Sequence, residues 1–517
     1  MMPGGARRVV RRLASVLGAG ALVLVGSAHV GSPNVFFAGK AGAYDVDVVV
    51  RPPQVVPGLA EITVRVPVSQ GSSVRQITVR PVFWQTGTRG SPAGDVAVKL
   101  DAPEPTWAGK LWLMAGGAYS VYVTVDGTLG KGTAVIPVAA VAMARLQLGR
   151  PLTILLVVLG LFLVVGLATI VRAAASDGLV PPGQQESPSI ARRGRLAAAI
   201  ALPVLALALF GGWKWWDSTA KAYERTLYAP MAVRASTARV TNSPGRVIVL
   251  EIMDSAYRAG RMTRILPDHG KLMHMFLVRE PDLDVFAHLH PAMSDDNTFV
   301  ADVPSELPAG TYRVFGDIVH ESGFERTLVA TVALQPLTGL STSSNTESSG
   351  DDAWSTDGER AALVPPRASV RLSDGTLLTW TSDGSPLVSG RETSLRFDVT
   401  DSAGKPVSIE PYLGMSAHAV VMRDDGSVFI HLHPMGTVSM ASVQAFALRE
   451  RGDTNAKGRL VLADSARVPA MSMATTQTSS FAIPYAFPKP GRYRLWVQVK
   501  RGGRILTGTF DADVAAP

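Results

Sequence analysis

The chain has 517 residues, enough for about three domains at roughly 150 residues each, so several domains are expected rather than one compact fold. Hydrophobic residues make up 47% and charged residues 18%, too apolar for a disordered chain and too polar for a polytopic transporter, and the lack of cysteine removes disulfides, zinc ribbons, Fe–S clusters, thiol nucleophiles and blue-copper centres. The net charge of +8 would suggest nucleic acid, but the first 43 residues carry Arg7, Arg8, Arg11, Arg12 and Lys40 with no acid, so the basic excess belongs mainly to a leader and no nucleic-acid partner is expected.

The N-terminus has arginines, an apolar run over 13–25 and small residues at Ala41, Gly42 and Ala43, the layout of a signal peptide or an uncleaved N-terminal anchor over 1–43. Residues 44–145 read as an exported β-sandwich without histidine. The run 152–171 is 20 almost wholly apolar residues, long enough for a hydrocarbon core of about 30 Å, and marks a first transmembrane helix over 150–173. A second apolar run, 196–213, contains Pro203 and is followed by Trp213, Trp215 and Trp216, which suit a membrane–water interface; it marks a second span over 196–216. Between them, in 174–195 and at its edge, Arg172, Arg192, Arg193 and Arg195 outnumber Asp177 and Glu186. The positive-inside rule makes this loop cytoplasmic and puts both flanking segments outside the cytoplasmic membrane. Beyond the hairpin, 229–336 and 367–517 read as two exported histidine-rich sandwiches, joined by a Ser-, Thr-, Gly- and acid-rich linker, 337–366.

The exported parts alternate apolar and polar residues in short runs broken by Gly, Pro and Asp, so the expected class is mainly β, with tandem immunoglobulin/cupredoxin-like β-sandwiches plus a two-helix transmembrane hairpin. One closing strand recurs three times: GGAYSVYVTVD (116–126), PAGTYRVFGDIVH (308–320) and PGRYRLWVQVK (490–500). A second element occurs twice: HMFLVREPDLDVFAHLHP (274–291) and HAVVMRDDGSVFIHLHP (418–434), each with a glycine four residues ahead, Gly270 and Gly414. The last two sandwiches are therefore read as duplicates.

Of nine histidines, His29 is in the leader and all the others lie in these two modules. Strand side chains alternate, so His288 and His290 share a face, as do His431 and His433. With Asp425-Gly426 as a two-residue hairpin turn, His418 comes opposite His433. With Pro281-Asp282-Leu283 as a three-residue loop, His274 comes opposite His290. Opposed Cβ atoms stand about 5 Å apart, so each trio can close around one metal ion. The expected ligands are His274, His288 and His290, and His418, His431 and His433, with His269, His320, Met293 and Met435 as candidate additions. Asp268, His269, Asp317 and His320 would enrich the first site only, giving it the higher affinity. Thioether donors would favour Cu(I); imidazoles with water or carboxylate suit Zn(II) or Cu(II). The alternative is that the imidazoles only hold the hairpins together by hydrogen bonding, beside Phe286 and Phe429 on the same face.

At the His-x-His-Pro hairpin followed by Pro-Gly-x-Tyr-Arg, the modules resemble the small secreted β-sandwich domains called YtkA-like and FixH-like. The likeness covers about 230–336 and 367–515, with 44–142 a more distant member. The resemblance implies an extracytoplasmic fold in copper-handling or respiratory-complex settings, with the six histidines as metal ligands. The expected function is a membrane-anchored extracytoplasmic metal-binding protein, with copper preferred and zinc the alternative, for storage, delivery or resistance. The runner-up is a structural or assembly factor of an envelope membrane complex. Catalysis is not expected, since there is no nucleophile elbow, phosphate loop or dinucleotide fingerprint.

Overall fold

The computed structural model describes residues 34–146, 148–181, 183–239, 245–336, 350–356, 359–455, 459–461 and 478–517; the leader up to residue 33 lies outside the described residues. The protein is mainly β, with antiparallel sheets paired into three sandwiches and two long apolar helices between the first sandwich and the second.

The first sandwich packs a five-stranded sheet on a four-stranded one. Its edge strand is Val35–Ala41, which pairs along its whole length with Tyr44–Arg51. The end of the expected leader is thus part of the folded domain: Phe36 and Ala41 are buried, and the small residues at 41–43 form the turn between two strands. Small residues at a tight turn and at a signal cleavage site look alike in sequence.

Each histidine-rich module packs a four-stranded sheet against a six-stranded one. The recurring closing strand is present three times, as Gly117–Gly127, Gly310–His320 and Gly491–Arg501, each followed by its hairpin partner. The first residue has φ of 137°, 153° and 131°, which only glycine adopts readily. Two residues later a tyrosine hydroxyl bonds the backbone four residues upstream: Tyr119 accepts from Ala115 N, while Tyr312 and Tyr493 donate to the carbonyls of Pro308 and Lys489. This tie fixes the entry of the chain into the sheet, as in a tyrosine corner.

The helices Arg150–Ser176 and Pro188–Glu224 lie side by side, with Gly194 against Arg172 and Ser176. Both are long and apolar enough to span a bilayer, and neither buries its apolar stretch against the rest of the protein. The second is longer than the expected span at both ends and continues through Pro203. The hairpin is inserted at one point of the β-assembly: Ala142, before it, and Leu227, after it, form a parallel bridge, and Arg145 pairs with Glu224.

Two further stretches depart from expectation. Within the supposed linker, Ala353–Ser355 is a strand that extends the first module's six-stranded sheet by pairing with Phe286–Leu289. The second module also contains a helix, Met440–Glu450, capped by Ser439 accepting from Ser442 N. Its Ala441, Ala445 and Phe446 pack with Trp84 and Ala118 of the first sandwich and Leu266 and Val319 of the second, at the junction of all three. An eleven-residue helix is brief enough to be lost in a β-patterned sequence.

The two six-stranded sheets face one another. Between them lies a buried aromatic layer that includes Phe276, Phe286, Phe315, Phe429 and Trp496. Its contacts are reciprocal: Phe315 stacks on Phe429 at 3.7 Å, and Trp496, at the position corresponding to Phe315, stacks on Phe286, at that corresponding to Phe429, at 4.9 Å. Arg313 likewise reaches the carbonyl of Asp425, and Arg494 that of Asp282. The duplicated modules therefore meet across a pseudo-two-fold axis, as two subunits of a symmetric dimer would.

Candidate metal centre

The registers of both hairpins are those the turns dictate. In the first, Phe276 pairs with His288 and Met275 with Leu289; in the second, Val420 pairs with His431 and Ala419 with Leu432. Each leading histidine starts its strand and each His-x-His ends the returning one, so three imidazoles converge at one end of each hairpin. In each trio the candidate ligand atoms lie within 4.8 Å of one another. His288 is 0%, His274 2% and His418 1% exposed, so these are interior groups.

Proton placement shows what the trios can hold. His274 Nε2 lies 3.3 Å from the carbonyl oxygen of Asp268, an acceptor only, so this nitrogen carries the hydrogen and Nδ1 is a bare lone pair. His288 Nδ1 faces Oε1 of Gln498 at 2.9 Å and the Tyr412 hydroxyl at 3.2 Å, whose own hydrogen goes to Asp351 O. Nδ1 therefore donates, and Nε2 of His288 is also bare. These two bare nitrogens face each other at 3.1 Å. The second module repeats this. His418 Nε2 donates to Tyr412 O at 3.1 Å, which leaves its Nδ1 bare 3.1 Å from His431 Nε2, and His431 Nδ1 lies toward Asp317 Oδ2 at 3.7 Å, beyond direct hydrogen bonding.

Two lone pairs aimed at each other repel unless a cation lies between them. Burial, with neighbouring imidazoles adding to it, holds the pKa of His274, His288, His418 and His431 well below the ordinary value, so a shared proton is disfavoured. Two nitrogens bound to one ion at about 2.0–2.1 Å stand roughly 3 Å apart, which is the spacing found. The third members fit. His290 Nδ1 donates to Asp352 Oδ1 at 2.8 Å, leaving its buried Nε2 without a hydrogen-bond partner among the described residues, and both ring nitrogens of His433 are in the same state. Distal nitrogens tied to carbonyls, a carboxylate and an amide are the outer shell expected of metal-binding imidazoles. Both trios could hold a transition metal ion.

The trios are not separate. His274 lies 5.3 Å from His431 and His288 6.2 Å from His418 between ring centroids, so one buried centre spans the module interface. The outer residues cross over. Asp317, opposite His274 in its own sheet, faces His431 of the other module; Gln498, opposite His418, bonds His288. This corrects the expectation that Asp317 and His269 enrich the first site: Asp317 faces the second trio, and His269 groups with Asp268 and His433. Strand alternation gives the face of a residue but not the neighbour across a module boundary. His320 is elsewhere, with Nδ1 against Thr263 O. Met293 packs against the second sandwich's core and Met435 lies in the first's. Neither Asp352, from the supposed linker, nor Tyr412 carried a sequence signal beyond lying near a repeated motif.

A cavity of about 200 Å³ opens beside the centre, lined by His274, His431, His433, Asp268, Asp317 and Glu325, with Val35 and Val138 of the first sandwich across from them. Burial, with Glu325 and Asp268 nearby, raises the pKa of Asp317 to about 7, although 23% of its side chain remains exposed.

Residues 232–335 and 369–516, the two histidine-rich modules, match the family model described as a domain of unknown function, DUF8832. The comparison with curated proteins gave no match. Similar solved structures include an engineered protein (22% identity, 18% of this chain and 19% of that one, TM-score 0.14) and dimeric latent PorU from Porphyromonas gingivalis (8% identity, 94% and 34%, TM-score 0.14). A third is trypsin-activated alpha-2-macroglobulin from Escherichia coli, at 9% identity, 94% and 24% coverage and TM-score 0.17. The chain thus spans about a third or less of the length of these structures.

Proposed function

We propose that this is a membrane-anchored extracytoplasmic protein that binds copper in its histidine-rich modules, for storage, delivery or resistance, with zinc as the alternative ion. The observation that carries the reading is the pair of buried trios in which two imidazole nitrogens face one another at 3.1 Å, with the distal nitrogens of His274, His288, His290 and His418 held by outer partners. The donor set is imidazole, which suits Cu(II) and Zn(II). The preference for copper rests on the resemblance to YtkA-like and FixH-like domains. The cavity beside His274, His431 and His433 supplies a route for an ion. The extracytoplasmic placement rests on the arginines around the helix–helix connection and is supported by the bridge between Ala142 and Leu227, which keeps both β-segments at one end of the hairpin.

The test is elemental analysis and competition titration of the full chain in detergent, prepared without a histidine tag. About one ion per trio is expected, and replacing His288 and His290 together by alanine removes one. Absence of binding above micromolar background ends the reading.

A second reading is favoured by the aromatic layer between the modules. The protein would be a structural or assembly factor of an envelope complex, its histidines merely part of the interface. It requires the same melting temperature with metal and with chelator, whereas an ion that prefers the native state must raise it.

A further inference from the structure

The turns that precede the two leading histidines share one backbone and one glycine, Gly270 and Gly414, and present different side chains just before it. In turn 268–271, Asp268 and Lys271 exchange two backbone hydrogen bonds, both of 2.9 Å; in turn 412–415, Tyr412 and Met415 do the same at 2.7 and 3.0 Å. The second residue is left-handed in both, with φ of 51° at His269 and 50° at Leu413. One module presents an imidazole from this position and the other presents leucine.

The His269 side chain is 5% exposed, and its Nε2 has no hydrogen-bond partner among the described residues. Its ring lies 5.2 Å from His433 and 5.5 Å from His418, closer than the 6.2 Å to His274 of its own module. The candidate ligand atoms of Asp268, His269 and His433 lie within 4.8 Å of one another, and His433 has two unpartnered ring nitrogens. The carbonyl of Asp268 meanwhile takes the hydrogen of His274 Nε2, so one residue touches both trios. Filling space does not account for this arrangement. Leucine, which the equivalent turn carries, would do so without burying an unpaired nitrogen.

Resting on the metal-binding reading above, we infer that His269 is a ligand of the second centre, delivered across the interface by the first module. The ion held by His418, His431 and His433 is therefore bound by both modules and is the tighter of the two.

The experiment is a Zn(II) titration of the full chain in detergent against a chromophoric chelator, comparing wild type with His269→Leu. The variant places at His269 the residue that Leu413 shows to be compatible with this turn. Two ions should still bind, one of them weakened at least about tenfold, the lower bound for loss of even an outer partner. In a His418→Ala/His431→Ala background, where only the first centre remains, His269→Leu should change nothing. Unchanged affinities for both ions in His269→Leu, or a loss that persists in that background, overturns the inference. Should the leucine variant fail to fold, His269→Asn, which tolerates left-handed backbone, repeats the measurement with the same criteria. Wild-type protein that binds no zinc or copper would instead remove the metal reading itself, a different result from two bound ions indifferent to residue 269.

Discussion

His288 of the first module hands its Nδ1 hydrogen to Gln498 of the second, across 2.9 Å, and thereby leaves Nε2 bare toward His274. The corresponding contact of the other trio is His431 with Asp317. Gln498 is 2% exposed and its amide nitrogen donates to the Thr507 hydroxyl at 3.2 Å. Replacing Gln498 by alanine should weaken the ion at the first trio by about 10–100-fold and leave the second unaffected, as for other outer partners of metal-bound imidazoles. Competition titration reads both affinities. Equal weakening of the two ions would mean that Gln498 acts through the interface as a whole.

The stacked pair Phe315 and Phe429, both fully buried, should matter without any metal. Phe315→Ala opens a cavity in the layer between the modules and should cost about 3–5 kcal/mol. Chemical denaturation in the presence of a chelator measures this. A loss visible only with metal bound would transfer the stabilisation from packing to coordination.

Acid should destabilise the metal-free protein. Burial pushes His274, His288, His418 and His431 well below the ordinary imidazole range, and His433 to about 3. The unfolded chain titrates these groups near about 6.5, so below that pH it binds protons that the native state refuses, and stability falls with pH. Asp317, raised mainly by burial to about 7, and Glu325, raised above the ordinary carboxylate value by burial, act in the opposite sense, but they are two groups against five. The melting temperature of the chelated protein should drop steadily from about pH 7 to about pH 5. A flat or rising profile over that interval would show that the imidazoles are solvated.

The strand Val35–Ala41 predicts where processing does not occur. Cutting after Ala43 would remove a strand paired at all seven positions, along with Phe36, which packs in the core of the last sandwich. Mass spectrometry of the membrane-extracted protein should therefore find residues 35–43 retained. A chain engineered to begin at Tyr44 should be less stable in thermal melts.

The sequence carried most of the module architecture, because strand alternation and the Gly-x-Tyr and His-x-His-Pro repeats are local. Even the pairing of Val420 with His431 and of Phe276 with His288 followed from turn length alone. Contacts made between modules were illegible for the converse reason. Nothing near Asp317 points to His431, and nothing near Gln498 points to His288. Asp352 sits in a stretch of linker composition and acquires its role only because Ala353–Ser355 adds to the sheet beside His290. His269 was visible as a histidine, but its partner lies across an interface that no periodicity encodes.

Two identical subunits related by a rotation must put the same residue on each side of their contact. Because both halves here belong to one polypeptide, each position can be mutated once rather than twice: the carboxyl of Asp317 answers the amide of Gln498, and the imidazole of His269 answers Leu413. Covalent fusion has released this contact from the obligation to be its own mirror. The two ends of a once-equivalent site can therefore diverge in strength, with no second gene needed to encode the difference.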